Sequence, residues 1–196
     1  MHKNALIILT KNPELGKVKT RIAATLGDSK ALEIYKNLLL HTRQISVNLS
    51  VDKFVFYSDK IVLNDVWQNN LFTKELQNGT DLGEKMIAAF ETVFSQNYAS
   101  VCIIGSDCYE LNSSIIDDAF KLLQTKDCVI GPTFDGGYYL LGTNKLHYTL
   151  FQNIEFSTET VCDETVKICK SLNLSTAFTT KLHDVDTESE VPKSWL

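Results

Sequence analysis

The chain has 196 residues and a formal net charge of −5, so it lacks the basic excess that marks a general nucleic-acid binder. Its hydrophobic share of 44% and charged share of 22% are those of a globular protein with enough chain to bury a core, and no apolar run approaches the ~18 residues of a membrane span. Five cysteines, an odd number with no C-x-x-C pair, argue against a zinc ribbon or a redox motif. Cys102 and Cys128, within apolar runs, read as buried thiols of a reducing cytosol, and "MHKNALIILTKNP" has too short an apolar run for a signal peptide. The expectation is a cytoplasmic, soluble protein.

Short apolar runs alternate with helical periods along the chain. "ALIIL" (5–9) is unbroken and bounded by polar residues, as a buried strand is. From Asp28, read as an N-cap, Leu32, Tyr35, Leu39 and Thr42 recur at helical spacing. "KFVFYS" (53–58) is a second strand. Asp81 and Glu84 form a capping box ahead of a helix with Leu82, Met86, Phe90 and Val93 on one stripe. "VCIIGSD" ends a third strand, and Asn112 opens a helix whose face is Ile116, Phe120 and Leu123. "CVIGP" and "YYLLG" are strands joined by "TFDGG", "TVCDETVKICKSL" is a helix, and "LSTAFTTKL" favours a strand. Thr187 and Glu190 form a second capping box in "HDVDTESEV". This alternation predicts one α/β domain over 1–196 with a largely parallel sheet.

In such a sheet, ligands bind beyond the carboxyl ends of the strands, which selects the loops after "ALIIL", "VCII" and "CVIGP". The first contains "GKVKTR", three cations in six residues of an acidic chain. It is not a Walker A loop, because residue 18 is Val and residue 11 is Lys. Gly16 allows close backbone approach, Lys17, Lys19 and Arg21 suit phosphate, and a helix starting near Thr20 would add free N–H groups. A solvated loop is the alternative. Lys19 and Arg21 alternate with Val18 and Thr20, so the cations need not all face one way.

Asp107 ends the third strand with no cation near it in sequence. It is either a turn cap or a ligand for magnesium or manganese, which prefer oxygen donors. Asp186 would complete a two-carboxylate site, or merely precede a capped turn. Asp135-Gly136-Gly137 reads first as a hairpin turn; its functional version admits a substrate whose hydroxyls Asp135 accepts. His2, His41, His147 and His183 show no metal spacing.

Taken together, "KNPELGKVKTRIA", "QNGTDLGEKM", "IIGSDCYEL", "GPTFDGGYYLLG" and "DVDTESEV" occur in an order that resembles a bacterial glycosyltransferase A-like family. That family lies in the nucleotide-diphospho-sugar transferase superfamily, with some members linked to arsenosugar biosynthesis. The resemblance spans nearly the whole chain. It implies an α/β/α sandwich of the GT-A type with a mixed, mostly parallel sheet, close to molybdenum-cofactor and phospholactate guanylyltransferases. It further implies nucleotide binding by Gly16, Lys17, Lys19, Arg21, Gln77, Gly79, Asp81 and Gly83. Asp135, Gly136, Gly137 and Tyr138 would face the acceptor or sugar, and Asp107 and Asp186 would hold Mg²⁺ or Mn²⁺. Lys19, Arg21 and Asp107 would then carry the catalysis.

Two residues depart from the family pattern: Tyr109 replaces a proline and Lys85 an arginine. The partners implied are a nucleotide or NDP-sugar and a small-molecule acceptor. Glycosyl transfer from an NDP-sugar, nucleotidyl transfer with release of pyrophosphate, and nucleotide binding without turnover all remain open at this point.

Overall fold

The computed structural model describes residues 3–152, 154–156 and 158–196; His2 therefore lies outside the described residues. Its strands are β1 (Asn4–Thr10), β2 (Asp52–Tyr57), β3 (Thr73–Leu76), β4 (Ser100–Ile104), β5 (Cys128–Pro132), β6 (Tyr138–Thr143) and β7 (Thr176–Phe178). The helices are α1 (Thr20–Leu26), α2 (Asp28–Ser46), α3 (Leu82–Phe94), α4 (Ser113–Leu122) and α5 (Val161–Ser171). All seven strands join one sheet in the order β3-β2-β1-β4-β6-β5-β7. Every pairing is parallel except those of β6, which runs antiparallel to both β4 and β5.

The unbroken apolar runs of the central strands follow from burial on both faces. In β1, Leu6 and Ile8 pack on one side with Ile22 of α1, Ile34 and Leu38 of α2, and Ile116 and Phe120 of α4. Ala5 and Ile7 pack on the other side with Met86, Phe90 and Val93 of α3 and Cys169 of α5. Helices thus cover both faces, and the chain is the α/β/α sandwich with a mostly parallel mixed sheet that the family resemblance implied.

Local signals place most element ends. Asp81 caps α3 by accepting from the Glu84 N–H, and Asn112 caps α4 through the Ile115 N–H. The Thr187–Glu190 capping box is present, although it heads only a single 3-10 turn. Three expectations are corrected. Gly27, not Asp28, is the N-cap of α2, because α1 runs directly into it through a glycine at φ +82°. Leu82 is exposed rather than part of the α3 stripe, since it lies in the first turn, before the helix settles on the sheet. Strand β3 was not anticipated: "TKEL" is an edge strand with no buried residue, so it has no apolar run. All five cysteines are free thiols. Among the described residues, no helix is long and apolar enough to cross a membrane.

Candidate functional site

The carboxyl ends of β1 and β4 lie side by side, and two side chains tie the loop after β1 to its neighbours, Tyr35 on the β4 side and Asn12 on the β2 side. The Tyr35 hydroxyl, brought in by α2, meets the Lys11 N–H at 2.8 Å, Thr10 Oγ1 at 3.2 Å and Ser106 Oγ at 3.3 Å. Buried Asn12 accepts from the Asp59 and Lys60 N–H groups and donates to the Lys60 carbonyl, fixing the β1 loop to the loop after β2. Both are polar residues in helical or loop patterns, and nothing local marks them as hubs. Tyr35→Phe removes the hydroxyl and leaves its partners to re-pair. It is expected to lower unfolding free energy by about 1–3 kcal/mol in denaturant titrations; no change would mean that the hydroxyl organises nothing.

The cations of "GKVKTR" separate. Lys17 pairs at the surface with Glu14, at 2.7 Å, and Glu14 is shared with Lys60. Hydrogen bonds from Lys17 and Lys60 lower the Glu14 carboxyl to about 2. Lys19 turns inward instead. It caps α1 in the left-handed region, φ +47° and ψ +47°, a conformation that side-chain-bearing residues rarely hold without support. That support is ionic: Nζ donates to Asp186 Oδ1 at 2.8 Å and to Asp107 Oδ2 at 3.1 Å, with only 8% of the side chain exposed. Arg21 leans over the outer Asp186 oxygen at 3.4 Å and is 71% exposed.

Charge balance in this cluster is tight. Burial works against a charged Lys19, yet the Asp107 and Asp186 charges outweigh it and raise the ammonium pKa. Burial likewise opposes ionised Asp186, but the Lys19 charge and hydrogen bond, with Arg21 behind them, hold its carboxyl below the usual range. Asp184 is the exception. Burial, then the nearby Asp107 charge, push it up to about 8, and its Oδ1 has no hydrogen-bond partner among the described residues. The main chain that bears the two carboxylates is anchored by groups other than Lys19. The Asp107 carbonyl accepts from the Val185 N–H at 2.9 Å, and the Asp186 N–H donates to Glu190 Oε2 at 2.8 Å.

The remaining predicted residues form a rim whose visible contacts are local. Gln77 donates to the Thr10 and Phe56 carbonyls, tying β1 to β2. Gly79, at φ +133°, lies against Glu84, and Gly83 faces Phe156 and the Phe151 carbonyl. The glutamate of the first capping box reaches Thr80 N and Oγ1 rather than Asp81 N. Asp135 Oδ1 caps its own turn through the Gly137 N–H and the Thr133 hydroxyl, so the hairpin seen in the sequence is real. Tyr138 packs inward with its hydroxyl toward Met86 Sδ at 3.8 Å.

Tyr109 has a structural use of its own. It sits between His41 of α2, at 4.8 Å, and Trp195, at 4.7 Å, and so ties the turn after Asp107 to α2 and to the last 3-10 turn.

A hard divalent cation needs oxygen donors converging on a point, and Asp107 and Asp186 do converge, with the Lys19 ammonium standing where a cation would be. Among the described residues, no three His, Cys, Asp or Glu side chains are grouped to hold a metal. The protein would therefore supply two carboxylates and leave the other positions to substrate oxygens or water, a division usual for magnesium with phosphates. The donor set fits.

Comparisons with known proteins agree with this architecture. A family model described as "Uncharacterized protein conserved in bacteria (DUF2064)" matches residues 41–158. A Desulfovibrio desulfuricans G20 crystal structure, provisionally described as a nucleotide-diphospho-sugar transferase, is 30% identical. It has a TM-score of 0.88 and covers 95% of this chain and 84% of that one. The 4-diphosphocytidyl-2C-methyl-D-erythritol synthase of Anaerococcus prevotii DSM 20548 has a TM-score of 0.64 at 10% identity, covering 97% and 95% of the two chains. The inositol-1-phosphate CTP transferase of T. maritima has 0.59 at 8% identity, covering 99% and 94%. At such identities these two share the fold alone. No curated protein matches in sequence.

Proposed function

We propose, from the premise that this chain belongs to the DUF2064 family, that it is a transferase acting on a nucleotide-activated substrate with the help of Mg²⁺ or Mn²⁺. The favoured reaction moves a glycosyl group from an NDP-sugar to a small acceptor. One observation carries the proposal: Lys19, Asp107 and Asp186 meet at the carboxyl ends of the sheet, where an α/β fold presents its ligand. The description of the similar Desulfovibrio protein as a nucleotide-diphospho-sugar transferase supports the glycosyl form.

Asp107 and Asp186 would hold the metal, which when bound neutralises charge on the leaving phosphates. Lys19 would place a second cation against those oxygens, and Arg21 a third from the solvent side. The hairpin of Asp135, Gly136 and Gly137 would orient the acceptor or sugar. Tyr138 would act from beneath by packing. Gln77, Gly79, Asp81 and Gly83 would shape the nucleotide side through the strand and cap contacts they make. Lys17, already paired with Glu14, would contribute to the general field rather than to a contact.

Nucleotidyl transfer is the second reading. It is favoured by the single carboxylate in Gly105-Ser106-Asp107, where an Asp-x-Asp pair would suit an NDP-sugar metal. The products decide between them: a nucleoside diphosphate in one case, pyrophosphate in the other.

The test is a thermal-shift panel of the four common NTPs and the common NDP-sugars, with EDTA and with Mn²⁺. A ligand at about a hundred times its Kd contributes about 2.7 kcal/mol. For a chain this size, that is a shift of roughly 5–10 °C. At least one nucleotide should give it, and Mn²⁺ should enlarge it. A panel with no shift in either condition would dismiss the nucleotide.

A further inference from the structure

The Lys19 ammonium occupies the position in which the two carboxylates would receive a divalent cation. Its side chain is nearly buried, its nitrogen is 2.8 Å from one carboxylate and 3.1 Å from the other, and Arg21 reinforces the outer oxygen. The main chain at Asp107 and at Asp186 is held by hydrogen bonds that do not involve the lysine, so removing it leaves both residues anchored at the site. An ammonium and a metal ion cannot both sit at that point, because like charges a few ångströms apart repel strongly in a half-buried site.

We propose that Lys19 is a built-in competitor for the metal, so that the divalent cation and the phosphate-bearing nucleotide bind as a unit. Without phosphate, the ammonium and the Arg21 guanidinium together neutralise the two carboxylates, and bare metal binds weakly. A nucleotide phosphate offers Lys19 an alternative anion, drawing it off the carboxylates and opening the position. Lys19 stands at the head of α1 with a left-handed backbone, and its ammonium reaches both carboxylates from there. Coupling of this kind is reciprocal, so metal raises nucleotide affinity by the same factor. The inference rests on the metal-bearing reading above and adds an order of events to it.

The experiment is titration of Mn²⁺ into the whole protein, followed by electron paramagnetic resonance of the free ion. It is run without nucleotide and with ADP, CDP, GDP and UDP in turn, subtracting protein-free blanks. Lys19→Met should bind Mn²⁺ about tenfold or more tighter than wild type in the absence of nucleotide. Lys19→Arg, which keeps the charge, should stay near wild type. In wild type, at least one diphosphate should strengthen Mn²⁺ binding, and in Lys19→Met that gain should shrink. Circular dichroism checks the fold, and Lys19→Gln repeats the test if the methionine variant does not fold. Diphosphate-linked Mn²⁺ binding in wild type with no gain in the neutral variants overturns the competitor role alone. No Mn²⁺ binding by any variant, with or without nucleotide, overturns the metal-bearing reading and the competitor role together.

Discussion

Gly136→Ala is expected to destabilise the protein by about 3 kcal/mol or more, lowering its melting temperature by roughly 6–12 °C. Two independent penalties coincide there. The residue has φ +92°, which an L side chain adopts only with strain. An added Cβ would also fall on the Glu159 carbonyl oxygen, with the carbonyl carbon 2.5 Å and the Cα 2.7 Å away. All three atoms are backbone, so no side chain can swing aside. The chain there runs straight into α5, and the Gly136 carbonyl accepts the Cys162 N–H at 2.9 Å. Relieving the clash therefore means lifting the start of a helix whose Val161 and Cys169 are buried.

Gly137→Ala is the matched control. Its Cβ would lie 3.1 Å from Thr133 Oγ1 and 3.5 Å from Asp135 Oδ1, both side-chain atoms, and its φ is not left-handed. Calorimetric unfolding of the two variants decides the matter. Equal, small losses would mean that the turn and α5 are not locked together.

What could be read from the sequence divides by range. Caps depend on residues three apart, so Asp81, Asn112 and the Thr187–Glu190 pair are legible and present. Buried strands announce themselves by unbroken apolar runs, as β1 and β4 do. β3 carries no such mark, because "TKEL" sits at a sheet edge with nothing buried. The helix after Asp28 was misjudged by one residue, since a glycine between abutting helices leaves no break in the pattern.

The site was legible as a set of loops, not as a geometry. The alternation in "GKVKTR" allowed the cations to diverge, and they do. Which one turns inward is decided by carboxylates 88 and 167 residues away in sequence. Asp107 therefore looked unaccompanied until the fold brought Lys19 to it. Tyr35 and Asn12 were invisible as organisers for the same reason: a hydroxyl or amide shows its role only once its distant partners are in place.

Asp107→Asn should abolish the metal-dependent part of nucleotide affinity and lower turnover by about 10²–10³-fold, the usual loss when one preorganised electrostatic group is removed. Asparagine keeps the size and one oxygen but not the charge, which separates electrostatics from packing. The fold should tolerate it. Lys19 retains Asp186 at 2.8 Å, and the Asp107 side chain is 39% exposed, so losing its half of the ion pair should cost no more than about 1 kcal/mol. Beside a diphosphate, the native carboxylate is repulsive unless a cation lies between the two. In EDTA the variant should accordingly bind a nucleoside diphosphate as well as wild type or slightly better, and only the wild type should gain when Mn²⁺ is added. Asp186→Asn should follow the same pattern more weakly, because Arg21 already offsets part of its charge from outside. Isothermal titration of ADP, CDP, GDP and UDP into both variants supplies the comparison. Should Asp107→Asn gain as much from Mn²⁺ as wild type does, the carboxylate serves to hold Lys19 and the loop after β4, and the metal must be held elsewhere.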